Sequence, residues 1–392
     1  MKARIIFVAF CLVFLLVGCQ QVPDEVREKM ENYGQGGQIG KTEVSYYTIE
    51  ELRNASIEEL DHVPHNLKLP EKVDFSGIES IGTLVLKRPE DYDENKEKIA
   101  KLFEIKNPKW KLVAGGAIDY PTSYWYEYRG EDAYLAVDEN GEISYINEQV
   151  YDEDERLRTV ERVHLNREEC PKMTCNLDSG QIPLPEVLEK AQEWVDGCEI
   201  LQDEFDYELR TVCVKEKPDR THLVVMLVQR MYKGVGLNYL AEGDYEGDTT
   251  RIPYEGAWVD LSFAEPDKPY FFYNYMPAYI VEEEPVDEVI DFQSAVHLVE
   301  EELSGFSRLK VCEIRVEYMI YAEKSENEND NKEKEGAIFH TKPVYSFLIE
   351  FGKVDDAVET LGIFESEEYV YVNVDMTDGT VITNFEERNF HD

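Results

Sequence analysis

Three familiar chemistries are missing from this chain. No His-Glu-x-x-His helix, no Gly-x-Ser-x-Gly elbow and no phosphate-cradling loop of the spacing Gly-x-x-x-x-Gly-Lys-Ser/Thr occurs in its 392 residues. That removes the metalloprotease, serine-hydrolase and nucleotide-binding readings that rest on those motifs. Positive charge is scarce: 40 Lys and Arg stand against 83 Asp and Glu, a formal net charge of -43. So acidic a surface repels nucleic acid and anionic headgroups, and no nucleic-acid partner is expected. The apolar run from Ile5 to Val17 falls short of the about 20 residues that a spanning helix needs. Cysteine is sparse, 7 in all.

What stands at the start is an address. Lys2 and Arg4 precede the apolar run, which closes on Leu16, Val17, Gly18 and Cys19. A positive start, a short greasy core and a small residue before the cut make a secretory signal. The last four residues resemble the lipobox of bacterial prolipoproteins. That resemblance implies cleavage after Gly18, thioether lipidation of Cys19 and a mature chain held on the outer face of the cell membrane. Residues 1–18 are read as the lipoprotein signal peptide. Residues 19–45, polar and holding Gly34, Gly36, Gly37 and Gly40, are read as a tether.

The remainder is too long for one core of ordinary size. Three helical patterns recur about a hundred residues apart, each followed by strands. Residues 91–103 carry a modest stripe of Tyr92, Ile99, Leu102 and Phe103. In the second pattern Leu184, Val187, Leu188, Ala191, Trp194 and Val195 fall at helical spacing, with Pro185 at the start and Gly197 at the end. The third is Phe292, Ala295, Val296, Val299 and Leu303, capped by Asp291 and stopped by Gly305. A shorter helix is expected from Thr48, with Glu51 as reciprocal capping partner. The Pro-punctuated stretch from His62 to Pro70 is expected as loop.

Strands are predicted over residues 207–214 and 223–232, and alternation marks Ala257, Val259, Leu261 and Phe263, then Cys312, Ile314, Val316, Tyr318 and Ile320, then Tyr345, Phe347, Ile349 and Phe351. The charged segment from Glu323 to Glu335 is expected to be the loop of a hairpin. Two hairpins match in sequence: Tyr134 to Val137 runs into Asp138, Asn140 and Gly141, and Tyr371 to Val374 runs into Asp375, Asp378 and Gly379. Asn-Gly and Asp-Gly supply the positive φ of a tight turn.

A helix followed by an antiparallel meander with such a last hairpin resembles the PepSY domain and its relatives, among them extracytoplasmic lipoproteins and anchored regulators of WalK-type sensor kinases. The fold class expected is α+β, tandem units of an antiparallel β-meander with one packed helix, over residues 46–150, 160–281 and 286–392. The resemblance implies a binding or inhibitory scaffold and no catalytic residue.

No pair of carboxylates singles itself out in so acidic a chain, and no catalytic residue, metal ligand or cofactor is assigned. His297, Glu300 and Glu301 come nearest to a metal motif, but Glu301 stands where an inverted zinc-protease signature needs histidine. His164 before Cys170 fits no zinc spacing. Asp244, Glu246 and Asp248 lack the glycine and terminal glutamate of a calcium loop. With Cys11 lost and Cys19 lipidated, Cys170, Cys175, Cys198, Cys213 and Cys312 are an odd number that cannot all pair with one another, and Cys170 with Cys175 is the simplest closure. Two aromatic clusters supply the binding candidates, Tyr124, Trp125 and Tyr126 in one and Tyr270, Tyr273 and Tyr275 in the other. Such rings stack on sugars, anchor a protein partner or fill seams between units. The function expected is a lipid-anchored, non-enzymatic module that binds an envelope protein or peptide. The alternatives are a sugar- or peptide-binding lipoprotein and a hydrolase with an unrecognised site.

Overall fold

Helix ends follow the capping chemistry of the sequence. In the computed structural model, which describes residues 44–87, 92–114, 124–131, 133–138, 141–147, 157–165, 169–201, 204–238, 249–251, 258–265, 268–274, 278–306, 309–323, 338–350 and 369–383, α1 (Ile49–Arg53) opens on a full capping box. Thr48 Oγ1 accepts from Glu51 N, and the Glu51 carboxylate accepts from Thr48 N at 2.8 Å. Helix α2 (Tyr92–Leu102) follows, then α3 (Leu184–Gly197) with Pro185 in its first turn. In α4 (Phe292–Glu302), Asp291 Oδ1 accepts from Ser294 N at 2.7 Å.

The chain first lays down β1 (Tyr46–Thr48), β2 (Leu67–Lys68) and β3 (Gly82–Lys87). After α2 comes a meander of β4 (Lys111–Ala114), β5 (Tyr124–Arg129), β6 (Ala133–Asp138) and β7 (Ile143–Asn147), then β8 (Arg158–His164). A short hairpin, β9 (Thr174–Leu177) and β10 (Gly180–Pro183), leads into α3. Next are β11 (Asp206–Glu216), β12 (His222–Tyr232), the short β13 (Val235–Asn238) and β14 (Thr249–Arg251), then β15 (Trp258–Glu265) and β16 (Lys268–Asn274). Strands β17 (Tyr279–Pro285) and β18 (Glu288–Ile290) precede α4, and β19 (Leu309–Glu323), β20 (Ile338–Glu350), β21 (Tyr369–Asp375) and β22 (Val381–Thr383) close the fold.

The expected α+β class stands: three helices each lead an antiparallel meander, β4 to β7, then β11, β12, β15 and β16, then β19 to β22. The first two meanders fuse edge to edge where Phe271–Asn274 pairs with Ile143–Ile146, so one sheet runs β4-β5-β6-β7-β16-β15-β12-β11-β8. Helices α2 and α3 cover one face of it through a shared core that includes Ile99, Val187, Ala191, Val228, Leu261 and Phe272. Each of these side chains larger than Ala191 contributes roughly 1.5–3 kcal/mol by leaving water. The third meander carries α4 and gains β3 on β20 and β17 on β3. Phe292 of α4, Tyr345 of β20 and Phe75 stack edge-on there at centroid distances of 5.5–6.1 Å.

Strand β13 joins the two sheets: it pairs with the end of β12 and then runs parallel to Glu317–Met319 of β19. Among the described residues the ladders branch at β12, β19 and β20 but never return on themselves, so the sheets stay open and do not close into a barrel.

The matched hairpins form as the turn residues require. Gly141 and Gly379 have φ of 80° and 78°, and the carbonyls of Asp138 and Asp375 accept from their amides. Strands β19 and β20 pair as expected, while the segment between them lies outside the described residues apart from Glu323. The stretch from His62 to Pro70 is not all loop. Asn66 donates to the carbonyls of Glu300 and Leu303 at the end of α4, and this places Leu67 and Lys68 beside Leu309 and Lys310 as β2.

Candidate functional site

A cleft of about 890 Å³ opens where the two sheets meet. Its outer wall is the segment from Lys68 to Ile78, and its floor is built from Glu208 and Arg210 of β11, Gln229 of β12 and Lys310 to Glu317 of β19. The wall is pinned from several sides. Phe75 is buried between Phe292 and Tyr345, Asp74 folds the chain by accepting from Ser76 N and Oγ, and Arg53 of α1 donates to the carbonyls of Ile78 and Glu79. Glu79 N donates to Lys233 O at 2.9 Å. At that turn Lys233 and Gly234 both have positive φ, 50° and 79°, which suits a two-residue hairpin loop. Gly234 also has no room for a Cβ, which would fall 1.9 Å from Gly77 O.

Period-two alternation puts Glu313, Arg315 and Glu317 on one face of β19, and that face is the floor. Glu313 Oε1 stands 3.6 Å from Arg210 Nη2 and 3.5 Å from Arg315 Nε, and Arg315 Nε stands 3.2 Å from Glu317 Oε1. Gln229 Nε2 donates to Glu317 Oε1 at 3.2 Å and to Leu237 O at 2.9 Å. Arg210, Gln229 and Glu317 expose only 6%, 0% and 2% of their surface. Even so, Arg210 Nη2, Gln229 Oε1 and Glu317 Oε2 are buried without a hydrogen bond. Close-set walls desolvate Glu208 and raise its carboxyl above the ordinary value, although the residue keeps an open side; Arg315 partly offsets the rise. Burying a charged network stabilises a fold only when every member is satisfied. This one is incomplete, and it lines an open cleft.

Beside the cleft the row of strands along β19 is interrupted. On the edge of β19 opposite β20, β2 lies against Leu309 and Lys310 and β13 lies against Glu317 to Met319. No strand among the described residues lies beside that edge from Val311 to Val316. At the ordinary rise per residue the interval is roughly 20 Å long.

The residues singled out in the sequence lie elsewhere. Trp125 and Tyr126 are half-buried on β5, with Lys96 Nζ 3.8 Å above the Tyr126 ring. Tyr270 is buried in a small cluster with Leu223 and Ala264. Tyr273, half-buried, donates its hydroxyl to Glu142 Oε2 at 3.4 Å across the seam between the first two meanders. Cys19, Tyr275, Asp244, Glu246, Asp248 and the side chain of Tyr124 lie outside the described residues.

The five described cysteines are thiols, Cys170 and Cys175 included. Those two share the core beside α3, where burial, with Cys170 adding, pushes the Cys175 thiol up to about 11 and leaves it unreactive at neutral pH. His297 lies 3.7 Å from Glu300 and 3.4 Å from Glu301. Among the described residues no group of three or more His, Cys, Asp or Glu side chains is placed to hold a metal ion. Glu300 works instead as a clasp: it accepts from His65 N at 2.8 Å and pairs with His62 at 3.2 Å.

The floor was hidden in the sequence for a physical reason. Glu313, Arg315 and Glu317 read as the solvated face of an alternating strand, and Gln229, next to Arg230, is a polar interruption of an apolar run. Only the non-local pairing of β13 with β19 brings them together.

No protein-family model matches the chain, and no curated protein matches its sequence. Among solved structures, an uncharacterized protein from Eubacterium rectale ATCC 33656 is similar in fold, with a TM-score of 0.54 at 12% identity over 85% of this chain and 97% of that chain. The Bacillus megaterium YpeB C-terminal domain matches over 76% of this chain and 98% of that chain at 12% identity with a TM-score of 0.31, a likeness too slight to bear on the site.

Proposed function

We propose that the protein is a lipid-anchored, extracytoplasmic interaction module without catalytic function, which binds an extended segment of another envelope protein or peptide beside β19. The observation that carries this is the gap between β2 and β13, which opens onto the cleft. A segment laid there adds a strand to a sheet edge, gaining main-chain hydrogen bonds for affinity and alternate side-chain positions for specificity. The floor below supplies polar groups at fixed places.

The anchor rests on the leader, Lys2 to Cys19, and on its lipobox-like end. The units are read as PepSY-like. Three helix-led meanders and the matching turns at Gly141 and Gly379 support that reading, and with it a regulatory role toward a membrane-embedded partner.

The test uses the full chain and a random heptapeptide library. Gly77 lines the cleft and a Cβ built on it meets nothing within 4 Å, so Gly77→Trp places bulk at the cleft wall from a position open to a side chain. Wild type should retain peptides and Gly77→Trp should lose them while melting unchanged. Retention that Gly77→Trp does not alter contradicts the reading. For the anchor, labelled palmitate should enter wild type and not Cys19→Ser; no incorporation into wild type removes it.

A further inference from the structure

We infer that the segment bound beside β19 carries a basic side chain, lysine or arginine, whose cationic head enters the floor between Gln229 and Glu317. The inference rests on the reading of the cleft as a peptide site and adds what that site selects.

Donors and acceptors in the floor do not balance. Glu317 Oε1 already takes Arg315 Nε and Gln229 Nε2, each at 3.2 Å, while Oε2 of the same carboxylate takes nothing. Gln229 gives its amide nitrogen to Leu237 O and Glu317 Oε1, and its own oxygen receives no donor. Exchanging the amide nitrogen and oxygen does not cure this, because the oxygen then faces two acceptors. Both side chains are at least 98% buried, so bulk water does not make good the deficit. The floor thus holds two acceptor oxygens without donors, one of them on a carboxylate, which a cationic head reaches as the Gln229 and Glu317 side chains part to admit it. Its one orphan donor, Arg210 Nη2, already stands 3.6 Å from Glu313.

By count the lining is balanced, with Glu71, Asp74, Glu208, Glu313 and Glu317 against Lys68, Lys72, Arg210, Lys310 and Arg315, so the pull on a cation is local to the Glu317 carboxylate. An ordered water would supply hydrogen-bond donors but no charge. An ammonium or guanidinium supplies both, and a cation desolvated beside a buried carboxylate makes the stronger kind of hydrogen bond. Strand addition also spends the bound segment's main-chain donors on the edge of β19. That leaves a side chain, pointing alternately into the cleft, as the group that reaches the floor.

The whole acidic surface attracts basic peptides without selecting them, so the experiment has to separate the two. An acetylated, amidated heptapeptide library, with one position fixed at a time, is passed over the full chain in about 0.5 M salt to screen exposed charges. The expected result is about tenfold enrichment of Lys or Arg over Gln at one position, or at two positions two residues apart. Glu317→Gln should erase that enrichment and keep the preferences at the flanking positions, and Gln229→Met should weaken it. Equal basic enrichment at every position, loss of enrichment in salt, or enrichment untouched by Glu317→Gln overturns the inference. Retained peptides with no basic preference overturn it and leave the peptide site standing. Retention of no peptide at all overturns both.

Discussion

Gln229 and Glu317, 88 residues apart in the chain, meet through a 3.2 Å hydrogen bond that ties the two sheets together under the cleft. Replacing Gln229 with Met removes the donor to both Glu317 and Leu237 O, leaving two buried acceptors poorer by one bond each. A loss of about 1–3 kcal/mol is expected, seen as a lower urea midpoint at unchanged slope. Gln229→Glu should cost more, because it sets a second buried carboxylate against the first.

The turn beside the cleft gives a contrast between two glycines. Gly234→Ala meets Gly77 O at 1.9 Å and must hold a φ of 79°, so it should lower stability by about 2 kcal/mol or more. Gly77→Ala enters open space and should stay within about 0.5 kcal/mol of wild type. Thermal unfolding of the two variants side by side checks the pair; equal losses would mean the close approach has been misplaced.

How much of this was legible in the sequence depended on how local the cause is. Thr48 with Glu51, Asp291, Pro185 and the glycines of the matched hairpins act within four residues, and their elements form where the sequence puts them. Burial inside the strands was legible too: Val259, Leu261 and Phe263 are all fully buried. The candidate site was not. It depends on β13 leaving its hairpin to lie parallel to β19, and on Asn66 reaching the end of α4, contacts between residues far apart in the chain. Nothing in a single strand's alternation says whether its charged face meets solvent or a second sheet. The aromatic clusters drew attention by composition, yet Tyr270 and Tyr273 sit in a small core and at a seam between meanders.

Glu300 makes the fold sensitive to acid. Burial raises its carboxyl, but the bonds from His65 N and His62, with the charges of His62 and His297, outweigh this and hold it below the ordinary 4.5. A carboxyl lowered on folding contributes stability that is present above its unfolded value and lost as pH falls through its folded one. The stability difference between wild type and Glu300→Gln should therefore shrink as pH falls from about 5 toward 3. Denaturant titrations across that range check it; a difference that grows in acid reverses the sign.

Asp291 caps α4 from a buried position, accepting from both Ser294 N and Ser294 Oγ. Asp291→Ala should cost about 1–2 kcal/mol, whereas Thr48→Ala, on an exposed five-residue helix, should cost no more than about 1 kcal/mol. Urea midpoints for the two variants in the full chain give the comparison.

The most direct measurement is amide hydrogen exchange along β19, with and without a heptapeptide that the full chain retains. A segment added as a strand closes the interval between β2 and β13, so Val311 to Val316 should slow in exchange while the paired core of β20 and β21 changes little. If the peptide binds and the slowing falls elsewhere, with Val311 to Val316 exchanging as before, then the gap beside β19 is not the binding site.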